Sequence, residues 1–179
     1  MLETASPREM LVVDLIHGVT YIALVAVLIT AAGAVDHGSG IRRCARRLLA
    51  VCLAVMAGFF TLGSSVQTVT QAEPPAVLEG IGSGVFLAMF LLAIALGVAT
   101  LRTPGVRTSS LLLTALVPVI ALTVLLGVLG SDFAHPGYAE TLVNFGVALL
   151  GFRNAAVTGK PSETIAEKSA VGASLDQRA

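Results

Sequence analysis

Charged residues are scarce in this chain, and their scarcity excludes a soluble globular domain. Asp, Glu, Lys and Arg together make up 12% of the 179 residues, whereas about a quarter of a typical soluble domain is charged. Hydrophobic residues account for 55% of the sequence, and the mean hydropathy is +0.88. Since the apolar residues form long runs, which cross a lipid bilayer as helices, the sequence predicts an all-α integral membrane protein.

Cysteine is nearly absent, which excludes a disulfide framework and a cysteine-rich metal site. The two cysteines, Cys44 and Cys52, show neither the CxxC spacing nor another metal-ligand pattern. Eight residues on a helix correspond to about 12 Å of rise, and a disulfide joins Cα atoms that are no more than about 7 Å apart. Both thiols are therefore predicted to be free and structural.

Motifs that mark an enzyme are also missing. The sequence has no nucleophile elbow, no phosphate-binding glycine loop, no HExxH zinc motif and no dinucleotide fingerprint, so no catalytic class and no cofactor is predicted. Gly80 and Gly84 lie four residues apart inside an apolar run. This spacing lets membrane helices approach closely, and it predicts packing within the bundle, with dimerisation as the alternative.

A short basic run sets the predicted orientation of the whole chain. Arg42, Arg43, Arg46 and Arg47 lie between the first two apolar stretches and supply four of the eleven Lys and Arg residues. Short loops that are rich in Lys and Arg stay on the cytoplasmic side of a membrane. We therefore expect this loop to be inside and the amino terminus outside.

The apolar runs predict a domain of five transmembrane helices over residues 1–153. The spans are expected at about 10–35, 48–66, 76–101, 111–130 and 136–152. The fourth should be kinked at Pro118, and the fifth is short and contains Glu140 and Asn144, so an interfacial helix is the alternative there. Ten of the eleven Lys and Arg residues fall on one side only if five segments cross, which favours the fifth span and a cytoplasmic carboxyl terminus.

Residues 154–179 contain almost no large apolar side chain. Such a segment cannot bury enough surface to offset the entropy that ordering would cost, so it predicts a disordered cytoplasmic tail. The preference for Arg over Lys, together with the use of Ala, Val, Leu and Gly, is typical by composition of a bacterial plasma membrane protein.

Ionisable residues outside the predicted cytoplasmic segments gather near the outer surface. They are Asp14, His17, Glu73, Glu79, Asp132, His135 and Glu140. An ionisable group at membrane depth costs about 2–3 kcal/mol and normally faces protein or water. Several of these residues also lie in first helical turns, where the helix dipole favours a carboxylate without any function, so solvated helix ends are the alternative.

Four members of this group, Asp14, His17, His135 and Glu140, are the candidate site residues. Asp14, His17 and Tyr21 share one helical face by their spacing. Imidazole and carboxylate groups can bind a transition-metal ion, or they can form a proton-accepting pair at about pH 6–7. Asp14, His17 and Glu140 converge only if the first and fifth helices are neighbours.

The four arginines of the basic run are assigned to orientation and to the binding of anionic lipid headgroups. Arg42 and Arg46, like Arg43 and Arg47, are four residues apart, so on a helix they form a stripe along the membrane normal. Each basic residue near an anionic leaflet contributes about 1 kcal/mol. This geometry suits lipid phosphates better than a groove of DNA, and no nucleic acid partner is predicted.

Two hypotheses for the function follow. The preferred one is a non-catalytic multi-pass membrane protein that serves as an accessory or scaffold subunit of a larger membrane assembly, because Leu, Val and Ala dominate the spans. Other membrane subunits or a second copy would be its partners. The alternative is a small transporter or metal-binding membrane protein that uses the outward-facing Asp, His and Glu cluster.

Overall fold

The computed structural model describes residues 7–36, 38–63, 65–66 and 75–158, and over these ranges the chain is helical, without strands. The helices are α1 (Pro7–Thr30), α2 (Ala32–Asp36), α3 (Gly40–Gly58), α4 (Ala76–Thr100), α5 (Arg107–Thr114), α6 (Leu116–Val128) and α7 (Gly137–Thr158). A π-helical turn, Phe59–Gly63, continues α3. The predicted all-α class is confirmed for this part of the chain.

Four helical segments are long and apolar enough to cross a membrane. They are Glu9–Thr30, Gly40–Gly63, Ala76–Thr100 and Arg107–Val128, in agreement with a membrane protein. The last helix, α7, has 22 residues but is not one of the four segments found among the described residues. Glu140, Asn144 and Arg153 lower its apolar character.

The basic run belongs to a helix rather than to a loop. α3 begins at Gly40, eight residues before the predicted second span, because Ser39 caps it by accepting a hydrogen bond from the backbone N–H of Arg42. The turn before it contains Gly38, whose φ of +76° is readily adopted only by glycine. The arginine run is therefore helical, as the prediction of a stripe required.

Two other boundaries differ from the predicted ones. The first span, expected at 10–35, is divided at Ala31 into α1 and the short α2. The last helix extends to Thr158, five residues into the predicted tail. Residues 159–179 lie outside the described part of the chain.

The helices follow one another around a ring. α1 packs against α3, α3 against α4, α4 against α5 and α5 against α7, which returns to α1. The first and last helices run parallel, since Tyr21 contacts Glu140 near the beginning of α7 and Val27 lies against Gly151 near its end. The interior is filled by fully buried side chains that include Leu28, Leu49, Leu53, Met89, Leu96, Leu113, Val143 and Val147.

The fourth predicted span is broken near Pro118. A proline ring clashes with the carbonyl of the residue four positions earlier, which here is Thr114. α5 ends at Thr114, Ala115 forms a turn, and α6 begins at Leu116. The predicted kink is present, just before the proline itself.

Close backbone approach occurs at glycines other than the predicted pair. A Cβ atom on Gly97 would lie 2.7 Å from the Cβ of Leu113, and one on Gly146 would lie 2.5 Å from its Cδ2. Real Cβ atoms do not approach so closely, so glycine lets α5 fit between α4 and α7. By contrast, a Cβ on Gly80 or Gly84 would meet no atom of the described residues within 4 Å. The prediction that these two pack within the bundle is wrong, because they lie on an exposed face of α4.

Candidate functional site

The candidate site lies where α1 meets α7 and is built on a contact between Tyr21 and Glu140. The Tyr21 hydroxyl donates a 2.7 Å hydrogen bond to Glu140 Oε1. Tyr21 is 1% exposed, and the Glu140 side chain is 17% exposed. This contact joins α1 to α7. It should hold them firmly, because a charge-assisted hydrogen bond away from water is stronger than one at a surface.

His17 lies one helical turn before Tyr21 and faces the same carboxylate. Its Nδ1 is 2.9 Å from the carbonyl oxygen of Val13, and since a carbonyl can only accept, Nδ1 carries the hydrogen. The other ring nitrogen, Nε2, is 4.0 Å from Glu140 Oε1. A proton that binds at Nε2 therefore arrives directly opposite the carboxylate.

Phe60, on the π-helical turn, covers the two aromatic rings of α1. Its ring centroid is 5.3 Å from that of His17 and 5.7 Å from that of Tyr21. The turn is held against α1 at Gly18, where a Cβ atom would collide with the Thr61 side chain. π-helical turns occur often at functional sites, and this one positions an apolar ring over the polar contact.

The two α1 residues of the site lie inside a segment that is long and apolar enough to cross a membrane. His17 and Tyr21 are eight and twelve residues after Glu9, where the first candidate span begins. At 1.5 Å per residue these offsets are about 12 Å and 18 Å, in a hydrocarbon core about 30 Å thick. Glu140 does occupy the first turn of α7, but its partners lie well within the span, which argues against a merely solvated helix end.

Asn144, one turn after Glu140 on α7, extends the polar face that the sequence predicted. Its Oδ1 is buried and has no hydrogen-bond partner among the described residues. A buried acceptor without a partner costs about 1–3 kcal/mol. The polar face of α7 is thus only partly satisfied by the residues that the structure describes.

The other predicted site residues do not join this contact. Asp14 lies one turn before His17 on the same side of α1 and is half-buried. His135 is exposed, and its Nδ1 accepts a 3.0 Å hydrogen bond from the backbone N–H of Gly137, which shapes the entry into α7. Glu79 and Asp132 are exposed, and Glu73 lies outside the described residues.

Of the four predicted metal ligands, His17 and Glu140 are the two that the structure places close to each other. Structural and catalytic metal sites usually have three or more protein ligands. In the described ranges no group of three His, Cys, Asp or Glu side chains is close enough to hold a metal ion. The metal assignment stays a prediction, reduced to this pair of ligands.

A second polar contact, which the sequence did not predict, lies at the opposite end of the bundle. The Arg46 guanidinium donates from Nε to Asp36 Oδ1 at 2.9 Å and from Nη2 to Oδ2 at 3.0 Å. Its Nη1 donates to the carbonyl oxygen of Leu28 at 2.9 Å. Arg46 is 6% exposed, so it stabilises the end of α1 and the fold-back through α2.

This contact corrects the assignment of all four arginines to lipid. Arg46 is engaged within the protein, and Arg43 Nε lies 3.7 Å from Asp36 Oδ2 with a half-exposed side chain. Arg47 is exposed and Arg42 is partly exposed. The guanidinium of Arg46 holds the pKa of Asp36 below its usual range, and the lipid role stays a prediction for the other three arginines.

Comparison with known proteins found no matching family model, no similar curated protein and no similar solved structure. The function is therefore inferred from the residues of the chain and their geometry.

Proposed function

We propose that the chain crosses the plasma membrane of a bacterium five times, with its amino terminus outside and its carboxyl terminus in the cytoplasm. The helix order supports this topology, since the beginnings of α3 and α5 and the end of α4 lie at one end of the ring. The arginines at 42–47, 102 and 107 gather there, as expected of a cytoplasmic face. α7 lies parallel to α1 and completes the ring, which supports the fifth crossing.

The native cysteines test this orientation without any substitution. Cys44 is exposed at the basic end, and Cys52 lies inside α3 and is half-buried. A maleimide that cannot cross membranes should label Cys44 in inside-out vesicles and not in intact cells. Labelling of intact cells would reverse the proposed orientation.

The function that this geometry supports best is that of a small proton-binding transporter, the alternative that the sequence allowed. One observation carries this proposal: a carboxylate, an imidazole and a phenol from two helices meet inside a membrane-crossing segment. Ionisable groups at such depth are costly, and they typically mark ion pathways and proton relays. A π-helical turn, which is frequent at functional sites, lies beside these groups and carries Phe60.

The chemistry follows from the hydrogen-bonding roles of the three groups. Glu140 can take up a proton, and the Tyr21 hydroxyl stabilises its charged form by donating to Oε1. Nε2 of His17 is a second acceptor, 4.0 Å from the same carboxylate oxygen. At that separation a water molecule can bridge the two groups, so a proton can pass between them without movement of either helix.

Replacement of Glu140 by glutamine should reduce proton uptake at least tenfold. The amide keeps the shape of the side chain and removes the titrating group. The measurement is acidification of vesicles that contain the reconstituted protein and a pH-sensitive dye, after an imposed pH gradient. Glu79→Gln is the matched control, because Glu79 is an exposed carboxylate in the first turn of α4. This replacement should leave proton uptake unchanged.

Infrared spectroscopy gives a second readout that does not need transport. The carboxyl band that appears on acidification should include a component that Glu140→Gln removes and Glu79→Gln retains. Equal uptake by the wild type, by Glu140→Gln and by empty vesicles would refute the transporter proposal. In that case Glu140 and Tyr21 would serve only to join α1 and α7.

A role as an accessory or scaffold subunit is the second candidate, and α6 favours it. In the Arg107–Val128 segment 11% of the most apolar stretch is buried within the chain, against 22%, 33% and 28% in the other three segments. A membrane helix with so few internal contacts offers the largest surface to another subunit. Purification from the native membrane should then yield a reproducible partner, and a monodisperse monomer without one would count against this role.

A further inference from the structure

A cleft at the basic end of the bundle, away from the Glu140 contact, has the chemistry of an anion site. It encloses about 780 Å³ between the end of α4 and the beginning of α5. Its lining includes Arg102, Thr103, Gly105, Arg107 and Thr108. Gly105 has a φ of +91°, and this left-handed conformation lets the loop turn back into α5.

Two arginine side chains flank the cleft. Arg102 and Arg107 are both exposed, and neither forms an ion pair with any other residue that the structure describes. Asp36 is the carboxylate at this end that pairs with arginine, and its partners are Arg46 and Arg43. The positive charge of the cleft is thus not neutralised by a described neighbour.

Thr103, in the wall of the cleft, is a buried residue with a polar side chain. It is 3% exposed, and its Oγ1 has no hydrogen-bond partner within the described ranges. The neighbouring buried hydroxyls differ, since Thr100 and Ser110 contact each other at 2.8 Å and Ser109 donates to the carbonyl of Gly146. A buried hydroxyl without a partner is costly, and an anionic oxygen in the cleft would supply the missing acceptor.

The first turn of α5 borders the cleft, since Arg107 and Thr108 both line it. α5 has eight residues, and no side chain of the described residues caps its first turn, because the residue at the cap position is Val106. The amides at the beginning of a helix attract anions, and phosphate groups in particular. Thr108, in this first turn, also lines the cleft.

A smaller cavity, with Val106, Leu149 and Phe152 in its wall, adjoins the cleft. It encloses about 250 Å³, shares Gly105 and Thr108 with the cleft, and is otherwise lined by Val106, Ser109, Leu149 and Phe152. Leu149 and Phe152 belong to α7, so the cavity lies between α5 and the last helix. A cationic cleft beside a cavity with apolar side chains in its wall matches a molecule with a phosphate group and a hydrocarbon chain.

We propose that this cleft binds a phosphate group, held by the guanidinium groups of Arg102 and Arg107, the hydroxyl of Thr103 and the first amides of α5. The group belongs either to the headgroup of an anionic lipid or to a free phosphate compound. The site does not depend on proton transport, and failure of either proposal leaves the other standing.

Binding of two probes to the full-length protein in a neutral detergent tests the proposal. The probes are a short-chain phosphatidylglycerol and inorganic phosphate, with affinity measured by isothermal titration calorimetry. The Arg102→Gln/Arg107→Gln double variant should bind the preferred probe at least tenfold more weakly than the wild type. Binding of the lipid alone assigns the site to headgroups, and binding of inorganic phosphate with similar affinity assigns it to free phosphate compounds.

The control is the double variant Arg42→Gln/Arg47→Gln, which removes the same charge from the same end of the bundle. The predicted headgroup contacts of Arg42 and Arg47 need an anionic leaflet, which a neutral detergent does not provide, so this variant should change the affinity for either probe less than twofold. Thr103→Val removes only a hydroxyl, so it should fold normally and weaken binding about threefold to tenfold. Equal weakening by the two arginine pairs, or unchanged binding by both Arg102→Gln/Arg107→Gln and Thr103→Val, would overturn the proposal.

Discussion

Replacement of Arg46 by methionine is expected to lower the free energy of unfolding by about 3–5 kcal/mol, the usual effect of removing one partner of a buried ion pair. Arg46 is 6% exposed and makes three hydrogen bonds, two to Asp36 and one to the Leu28 carbonyl. Methionine fills about the same volume as arginine. The loss of stability therefore measures the cost of leaving the Asp36 carboxylate and the Leu28 carbonyl without their hydrogen-bond donor. Reversible unfolding in mixed micelles measures the difference.

Arg47→Met is the matched control, because Arg47 is the next residue on α3 and is exposed. Its effect should lie within about 0.5 kcal/mol, as for surface substitutions generally. The double variant Asp36→Leu/Arg46→Met removes both charges and should recover most of the stability, since replacing a whole buried pair is often neutral. Equal losses in Arg46→Met and Arg47→Met would show that the contact contributes little.

The same contact predicts the behaviour in acid. The Arg46 guanidinium holds the pKa of Asp36 below its ordinary value of 3.8. A carboxyl whose pKa is lowered by folding stabilises the protein at pH values above its unfolded pKa, and this stabilisation is lost as the pH falls through the lower, folded value. The wild type should therefore lose its advantage over Arg46→Met only below about pH 4.

Replacement of Gly97 by alanine should destabilise the protein by about 1–3 kcal/mol, the typical cost of overpacking. The new Cβ would lie 2.7 Å from the Leu113 Cβ and 3.0 Å from the backbone nitrogen of Thr114. Because backbone cannot yield as a flexible side chain does, α4 and α5 must separate. The buried contact between Thr100 and Ser110 would lengthen with them.

Gly84→Ala, on the same helix, should instead raise the free energy of unfolding. A Cβ there meets no atom of the described residues within 4 Å, and alanine favours a helix over glycine by about 1 kcal/mol. Thermal unfolding of both variants in one detergent makes the comparison. A loss of stability in Gly84→Ala would mean that another protein surface covers this face, which is the dimer that the spacing of Gly80 and Gly84 left open.

Much of the fold could be predicted because apolar run length and charge position are local properties of the sequence. The membrane class and the approximate positions of four spans follow from them. The glycine contacts could not be predicted, because the spacing of Gly80 and Gly84 is identical whether a neighbouring helix lies beside them or not. Gly97 and Gly146 are close to α5 only because the ring places Leu113 between them.

Only the α1 residues of the candidate site could be predicted to lie together from the sequence. Asp14, His17 and Tyr21 share a face of α1 by their spacing, but the partner, Glu140, is 119 residues from Tyr21 and depends on which helices are neighbours. The role of Phe60 depends on a π-helical turn that has no signature in the sequence. The pairing of Arg46 with Asp36 required a fold-back through Gly38, whereas the sequence pattern indicated a lipid-facing stripe.

Closure of the ring by α1 and α7 determines when the bundle can be completed during synthesis. A chain emerges from its amino-terminal end, and the early segments order first. Tyr21 belongs to the first helix, and its acceptor, Glu140, belongs to the last. The gap between the first helix and α5 therefore stays open until the final segment has left the ribosome, and a nascent chain that is arrested before residue 137 exposes that gap to lipid or to an insertion chaperone.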